Sequence, residues 1–220
     1  EIASCLVGSE MCIRDSYTTN TGVNLSLYDG NILHDIPADL KDIPSPRIGY
    51  TGAIIERRLD ADLLYAVAQK LPQYNFVFVG PEDDFFAQHP LHTLKNTYFT
   101  GHREVAELPA YIQHFDVCLN PQKVNPITEG NYPLKIDEYL AIGKPVVATS
   151  THTMREVFAE YTHLATDVDS YLYAIQKALG ETEDAELKNA RIAFAQTHSW
   201  AHSVEKIYKA IDIYKTTSKK

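Results

Sequence analysis

Apolar residues fall into short runs, and amphipathic stretches punctuated by glycine or proline separate them. RIGYT at 47–51 predicts a strand that ends at Gly52. Over 60–71, Leu63, Leu64, Val67, Ala68 and Leu71 share one helical face, and Pro72 stops the helix. NFVFV at 75–79 is the apolar run expected of a strand covered on both faces, closed by Gly80 and Pro81. The pattern then repeats: a strand at 97–100 before Gly101, a short helix at 108–115 with Pro109 in its first turn, and a strand at 116–119. A polar loop, NPQKVNPITEGNY, leads to a helix that Pro133 opens and Gly143 closes. PVVAT at 145–149 is a fifth strand, followed by a helix around 154–160 and a weak strand at 163–166. The remainder predicts helices over 170–179, 185–197 and 200–214.

Strands alternating with helices at this spacing require right-handed crossovers, and so predict an α/β fold with a doubly wound parallel, Rossmann-like sheet. Only one such domain is expected, over 47–217. Residues 17–46, broken by Asn20, Gly22, Asp29, Gly30, Asn31, Pro37, Pro44 and Pro46, read as an interdomain linker. Residues 1–16 hold two of the three cysteines and show no helical or strand period; they read as a tail foreign to the domain.

Composition narrows the function. Twenty basic against 29 acidic residues give a net charge of −9, which argues against a broad basic face for nucleic acid but leaves room for a small anionic ligand. No apolar run approaches the roughly 18–20 residues of a membrane span, and neither end carries a basic-then-apolar signal, so a cytoplasmic protein is expected. Three cysteines cannot build a disulfide framework, and Cys5 and Cys12 lack zinc-site spacing. Nine histidines without HExxH leave metal hydrolysis unsupported, and GxSxG is absent too.

In an open parallel sheet, ligands bind beyond the carboxyl ends of the strands. Two loops there carry candidate chemistry. GAIIERR at 52–58 offers Gly52 for close backbone approach and Arg57 and Arg58 for phosphate charge, or else a strand-ending glycine and two solvated arginines. Only GxxG occurs here, from Gly49 and Gly52, which disfavours a hydride-transfer enzyme. In the second loop, Pro133 leaves the amides that follow it free at a helix start, with Lys135 in the same turn; together they make a site for a diphosphate. Glu138, three residues on and nearly on the same face, is placed to accept from vicinal sugar hydroxyls. The plain alternative is an amphipathic helix that buries Ile136, Tyr139, Leu140 and Ile142 and leaves Lys135, Asp137 and Glu138 in solvent.

YPLKIDEYLAIGKPVVAT, with FTGHREVAELPAYIQHFDVCLNP and IGYTGAIIERRLD upstream, resembles the donor-binding C-terminal domain of bacterial GT-B-fold glycosyltransferases of the family-one and family-four type. The resemblance covers about residues 18–215 and implies a metal-independent enzyme that takes a nucleotide-diphosphate sugar for cell-surface polysaccharide synthesis. It assigns Glu138 to the donor ribose, Tyr132, Leu134 and Lys135 to the phosphate-binding helix start, and Gly52 to the cleft loop. His102 and Arg103, after Gly101, fall where backbone meets the nucleobase. Many retaining relatives carry two glutamates with seven residues between them. Glu129 and Glu138 have eight, so the role of Glu129 opposite the transferred sugar rests on an inexact match. Leu59 stands where such enzymes place a lysine. TGVNLSLYD looks like the connector between the two halves of these enzymes, and the last helix, with Trp200, like the one that packs back across them. The resemblance thus implies a preceding N-terminal domain that carries the acceptor site, and contact with the inner face of the membrane through that half. A GT-B-fold sugar-nucleotide epimerase and a stand-alone nucleotide-binding module remain as alternatives.

Overall fold

The computed structural model describes residues 22–217. The expected tail at 1–16 and the first part of the expected linker, 17–21, lie outside the described residues. Six parallel strands form one sheet: β1 (Arg47–Thr51), β2 (Asn75–Val79), β3 (Thr97–Gly101), β4 (Val117–Asn120), β5 (Val146–Thr149) and β6 (His163–Ala165), in the order β3-β2-β1-β4-β5-β6. Around it lie α1 (Ala61–Lys70), α2 (Asp84–Ala87), α3 (Leu108–Gln113), α4 (Leu134–Ala141), α5 (Val168–Leu179), α6 (Ala185–Gln196) and α7 (Trp200–Thr217). The doubly wound order reverses between β1 and β4, and the crevice at their carboxyl ends is where such sheets bind ligands.

Alternation within the strands builds two cores. Ile48, Tyr50, Phe76 and Phe78 face one side, where α1 supplies Leu64, Val67 and Ala68 and α5 supplies Tyr171, Ile175 and Ala178. Val77, Val79, Cys118, Val146 and Ala148 face the other, against Tyr111 and Ile112 of α3 and Ile136, Tyr139 and Leu140 of α4. Each large apolar side chain fully buried here contributes about 1.5–3 kcal/mol. Both strand faces are covered, which is why these strands read as apolar runs rather than alternating ones.

Within the described residues 22–46, the segment expected as a linker contributes no strand to the sheet but is part of the core: Val23, Tyr28, Leu40 and Ile43 are buried with α3 and α4. It enters beside the start of α7, where the Val23 amide donates to the His198 carbonyl at 2.9 Å and Val23 pairs with Ser199. It then runs past α3, where the amide of His34 donates to Gln113 Oε1 and Gln113 Nε2 donates to the Ile32 carbonyl, each at 2.7 Å.

Other differences are local. The helix expected from 170 starts at Val168, because Asp167 caps it by accepting from the Ser170 amide at 2.8 Å. A π-helical turn, Met154–Phe158, replaces the helix expected at 154–160. The four residues of α2 and the 3-10 turns at Ala38–Leu40, Pro90–Thr93 and Val105–Glu107 are too short to print a period.

Candidate functional site

At the switch point, Gly52 leaves β1 with φ of +124° and its amide donates to the Val79 carbonyl at 2.8 Å. Lys135, in the first turn of α4, reaches down to this turn. Its Nζ donates to the Tyr50 hydroxyl at 2.8 Å and lies 4.3 Å from the centre of that ring; a Cβ on Gly52 would stand 3.1 Å from Nζ. A glycine here thus leaves room between the backbone and the ammonium. Tyr50 in turn donates to the Ala53 carbonyl at 3.1 Å, and the Tyr139 hydroxyl, one turn along α4, accepts the Thr51 amide at 2.9 Å. These bonds fasten α4 over the end of β1, which fixes where the ammonium sits.

The helix start differs from the expected one. Pro133 caps the helix, but the amides expected to be free after it are not: Leu134 and Ile136 turn back onto the carbonyls of Tyr132 and Pro133 at 3.1 and 2.9 Å. The tight first turn uses two of the donors that an open helix end would offer. Lys135 therefore carries more of the site's positive charge than the pattern implied. Gly143, with φ of +82° and its amide on the Leu140 carbonyl, closes the helix as expected.

Glu138 is half-buried on α4, near enough to Lys135 for the two charges to interact, and the buried Tyr28 hydroxyl lies beside it. Burial raises the Glu138 carboxyl above its ordinary value, against the opposing pull of the Lys135 ammonium. The folded chain holds this proton more tightly than the unfolded chain, so the group weakens folding as pH rises from 4.5 through the raised value.

Tyr132 belongs to a different network. Its hydroxyl donates to Asp137 Oδ2 at 2.6 Å, and His198 Nδ1 lies 3.1 Å from the other oxygen of this fully buried carboxylate. The phenol, pushed up by burial and by Asp137, remains a donor. Asp137 thus ties the first turn of α4 to the start of α7.

Arg57 and Arg58 are exposed, with no ion pair on either guanidinium among the described residues. Their carbonyls accept from Asn125 Nδ2 at 3.1 Å and the Lys123 amide at 2.8 Å, and so join the β1 loop to the β4 loop. His102 is exposed at the end of β3. Arg103 is not free: it donates to Asp39 and to the Tyr111 hydroxyl at 2.6 Å each, and to the His102 carbonyl at 2.8 Å. Its guanidinium pins the segment before β1 to α3, and any ligand role there falls to the backbone. Glu129 Oε1 accepts from the His152 amide at 3.0 Å and from Arg155 at 3.1 Å, while its Oε2 is buried without a partner.

Unused polar atoms concentrate in this region. Of eight buried side-chain atoms without a hydrogen bond among the described residues, four belong to the end of β4 and the loop after it: both amide atoms of Asn120, Gln122 Oε1 and Glu129 Oε2. Each such group costs about 1–3 kcal/mol when nothing replaces its water. Asn120, Tyr28, Tyr50 and Asp137 went unmarked as site residues in the sequence, because each meets its neighbours only through the fold. Among the described residues no three His, Cys, Asp or Glu side chains converge to hold a metal, and no helix is long and apolar enough to cross a membrane.

The protein TuaH of Bacillus subtilis (strain 168), whose name assigns it to glycosyl transfer in teichuronic acid biosynthesis, is 31% identical over 206 residues, covering 90% of this chain and 51% of its own length. Among solved structures, sucrose-phosphate synthase from Thermosynechococcus elongatus superposes with a TM-score of 0.69 at 21% identity, over 89% of this chain and 52% of its own. Anabaena HepE in complex with UDP gives 0.67 at 19%, over 92% and 57%. At these identities the structures show a shared fold, and the chain spans about half the length of each relative. The profile of the family "Glycosyl transferases group 1" matches residues 45–181. The chain belongs to the group 1 glycosyl transferases.

Proposed function

We propose that the chain is the donor-binding half of a glycosyltransferase that takes a nucleotide-diphosphate sugar and serves the synthesis of a cell-surface polysaccharide. The observation that carries this is the Lys135 ammonium held over Gly52 at the switch point, with Glu138 one turn deeper on the same helix. The diphosphate lies against Lys135 and the Gly52 turn, and Glu138 accepts from the ribose hydroxyls. The UDP in HepE supports a nucleoside diphosphate, and the name of TuaH supports a polysaccharide product. As the bond from the anomeric carbon to the diphosphate oxygen breaks, negative charge grows on that oxygen, and a fixed ammonium stabilises it without a metal. Arg57 and Arg58 add charge at the rim. Glu129 faces the transferred sugar, and the His102–Arg103 backbone meets the base. The enzyme works in the cytoplasm, at the inner face of the membrane.

Calorimetry with UDP, GDP and dTDP tests the site. Glu138→Gln is expected to weaken the nucleoside diphosphate that binds best by about 1–3 kcal/mol through the lost ribose hydrogen bond. At pH 7 its stability should equal or exceed the parent's, since the variant buries no carboxylate charge. Equal binding would remove the ribose assignment.

The acceptor site belongs to a preceding half, and α7 offers a surface for it. Trp200, Val204, Ile207, Tyr208 and Ile211 recur at helical spacing and are all exposed. Trp200 is the only tryptophan, so its emission reports on this face. In a protein extended to the length of the relatives, with the tryptophans of the added half replaced by phenylalanine, the emission is expected to shift to the blue relative to this chain; an unshifted spectrum would place the other half elsewhere.

A further inference from the structure

Asn120 is the last residue of β4, the central strand beside the switch point, and its side chain is 1% exposed. Gly49 of β1 pairs with Cys118, which sets Asn120 level with Thr51, one residue before Gly52; on the other side it pairs with Ala148 of β5. Yet neither Nδ2 nor Oδ1 has a hydrogen-bond partner. Thr51, level with it on β1, is already bonded to Tyr139 of α4. An apolar residue of the same size would fill this position in the fold at no such cost, so an idle amide here has a use outside the unliganded fold.

We infer that Asn120 contacts the donor, with its Nδ2 donating to a diphosphate or sugar oxygen and its Oδ1 accepting from a sugar hydroxyl. The inference rests on the proposed donor site, since it supplies the ligand. A side-chain amide suits this ligand because it presents a donor and an acceptor together, as a phosphate beside a hydroxyl requires. Gln122 Oε1 and Glu129 Oε2, idle in the same loop, fit a loop whose polar atoms gain partners when the ligand is bound.

Asn120→Leu separates this role from a structural one. Its urea midpoint is expected to equal or exceed that of the parent chain, because no bond is lost. Its affinity for the best-bound of UDP, GDP and dTDP, or for the glucose conjugate of that nucleotide, should fall about tenfold. Loss on both ligands assigns the amide to the diphosphate, and loss on the conjugate alone assigns it to the sugar. Unchanged affinity for both overturns the inference while leaving the donor site standing, whereas a parent chain that binds none of them overturns both. If the variant unfolds early or does not fold, the Asn120 NH2 resonance of the parent decides. Movement on titration with the nucleotide or its conjugate supports the contact, and an unmoved resonance overturns it.

Discussion

Lys135→Ala should lower the affinity for a nucleoside diphosphate ten- to a hundredfold, about 1.5–3 kcal/mol, the range for a charge-assisted hydrogen bond to a phosphate. The fold should tolerate the change. Tyr50 keeps its bond to the Ala53 carbonyl, and α4 stays fastened through Tyr139 and Thr51. What disappears is the ammonium over the Gly52 turn. Because Leu134 and Ile136 have turned their amides inward, little else in the first turn of α4 substitutes for it. Calorimetry in buffer containing EDTA makes the same titration test metal independence: the parent should bind as tightly with the chelator as without. Equal affinities for parent and variant would remove Lys135 from the phosphate site, and a loss of parent binding in EDTA would bring a cation into it.

Gly80→Ala should be the most damaging single-methyl substitution in this region. Gly80 leaves β2 with φ of +150°, and a Cβ there would stand 2.0 Å from the carbonyl oxygen of Gly52. The obstacle is backbone, which cannot rotate away, so the ends of β1 and β2 must part. Steric and dihedral strain together should cost about 3 kcal/mol or more, a fall of roughly 6–12 °C in Tm for a domain of this size. Gly130 provides the control: it has no positive φ and nothing within 4 Å of its Cβ position, so Gly130→Ala should unfold within a degree or two of the parent, the scatter of a neutral surface change. Parallel thermal scans decide the matter, and coincident curves for all three chains would show that β1 and β2 do not cross so closely.

The sheet was legible because burial on both faces leaves a direct mark: NFVFV has nothing to be but an interior strand, and Pro133 and Gly143 bracket α4 by their backbone chemistry alone. Lys135 and Glu138 were legible for a related reason, since their relation is set by one turn of helix. What spacing does not carry is which distant group meets a side chain. Arg103 looked like a residue near the base, but its partner Asp39 lies 64 positions earlier. Tyr50 lies 85 positions from the lysine above it. The Pro- and Gly-rich composition of the segment before β1 resembles a free connector because it lacks a period, and its four buried apolar residues are too widely spaced to make one. Proline at a helix start does not determine how tightly the next turn winds, so the inward bonds of the first-turn amides of α4 leave no mark in the sequence.

One junction has a mechanical meaning. Val23 and Ser199 are paired, the Val23 amide is bonded to His198, and that histidine reaches the carboxylate of Asp137 in the first turn of α4. Where the chain enters the domain and where α7 begins, the two strands of polypeptide are therefore riveted together. On the proposed function, a neighbouring half joined at both places would pivot about this one point, as on a door pin, rather than slide. His198 then links this pin by a hydrogen bond to the turn that carries Lys135, beside the apolar packing of Val23 and Tyr28 with α4.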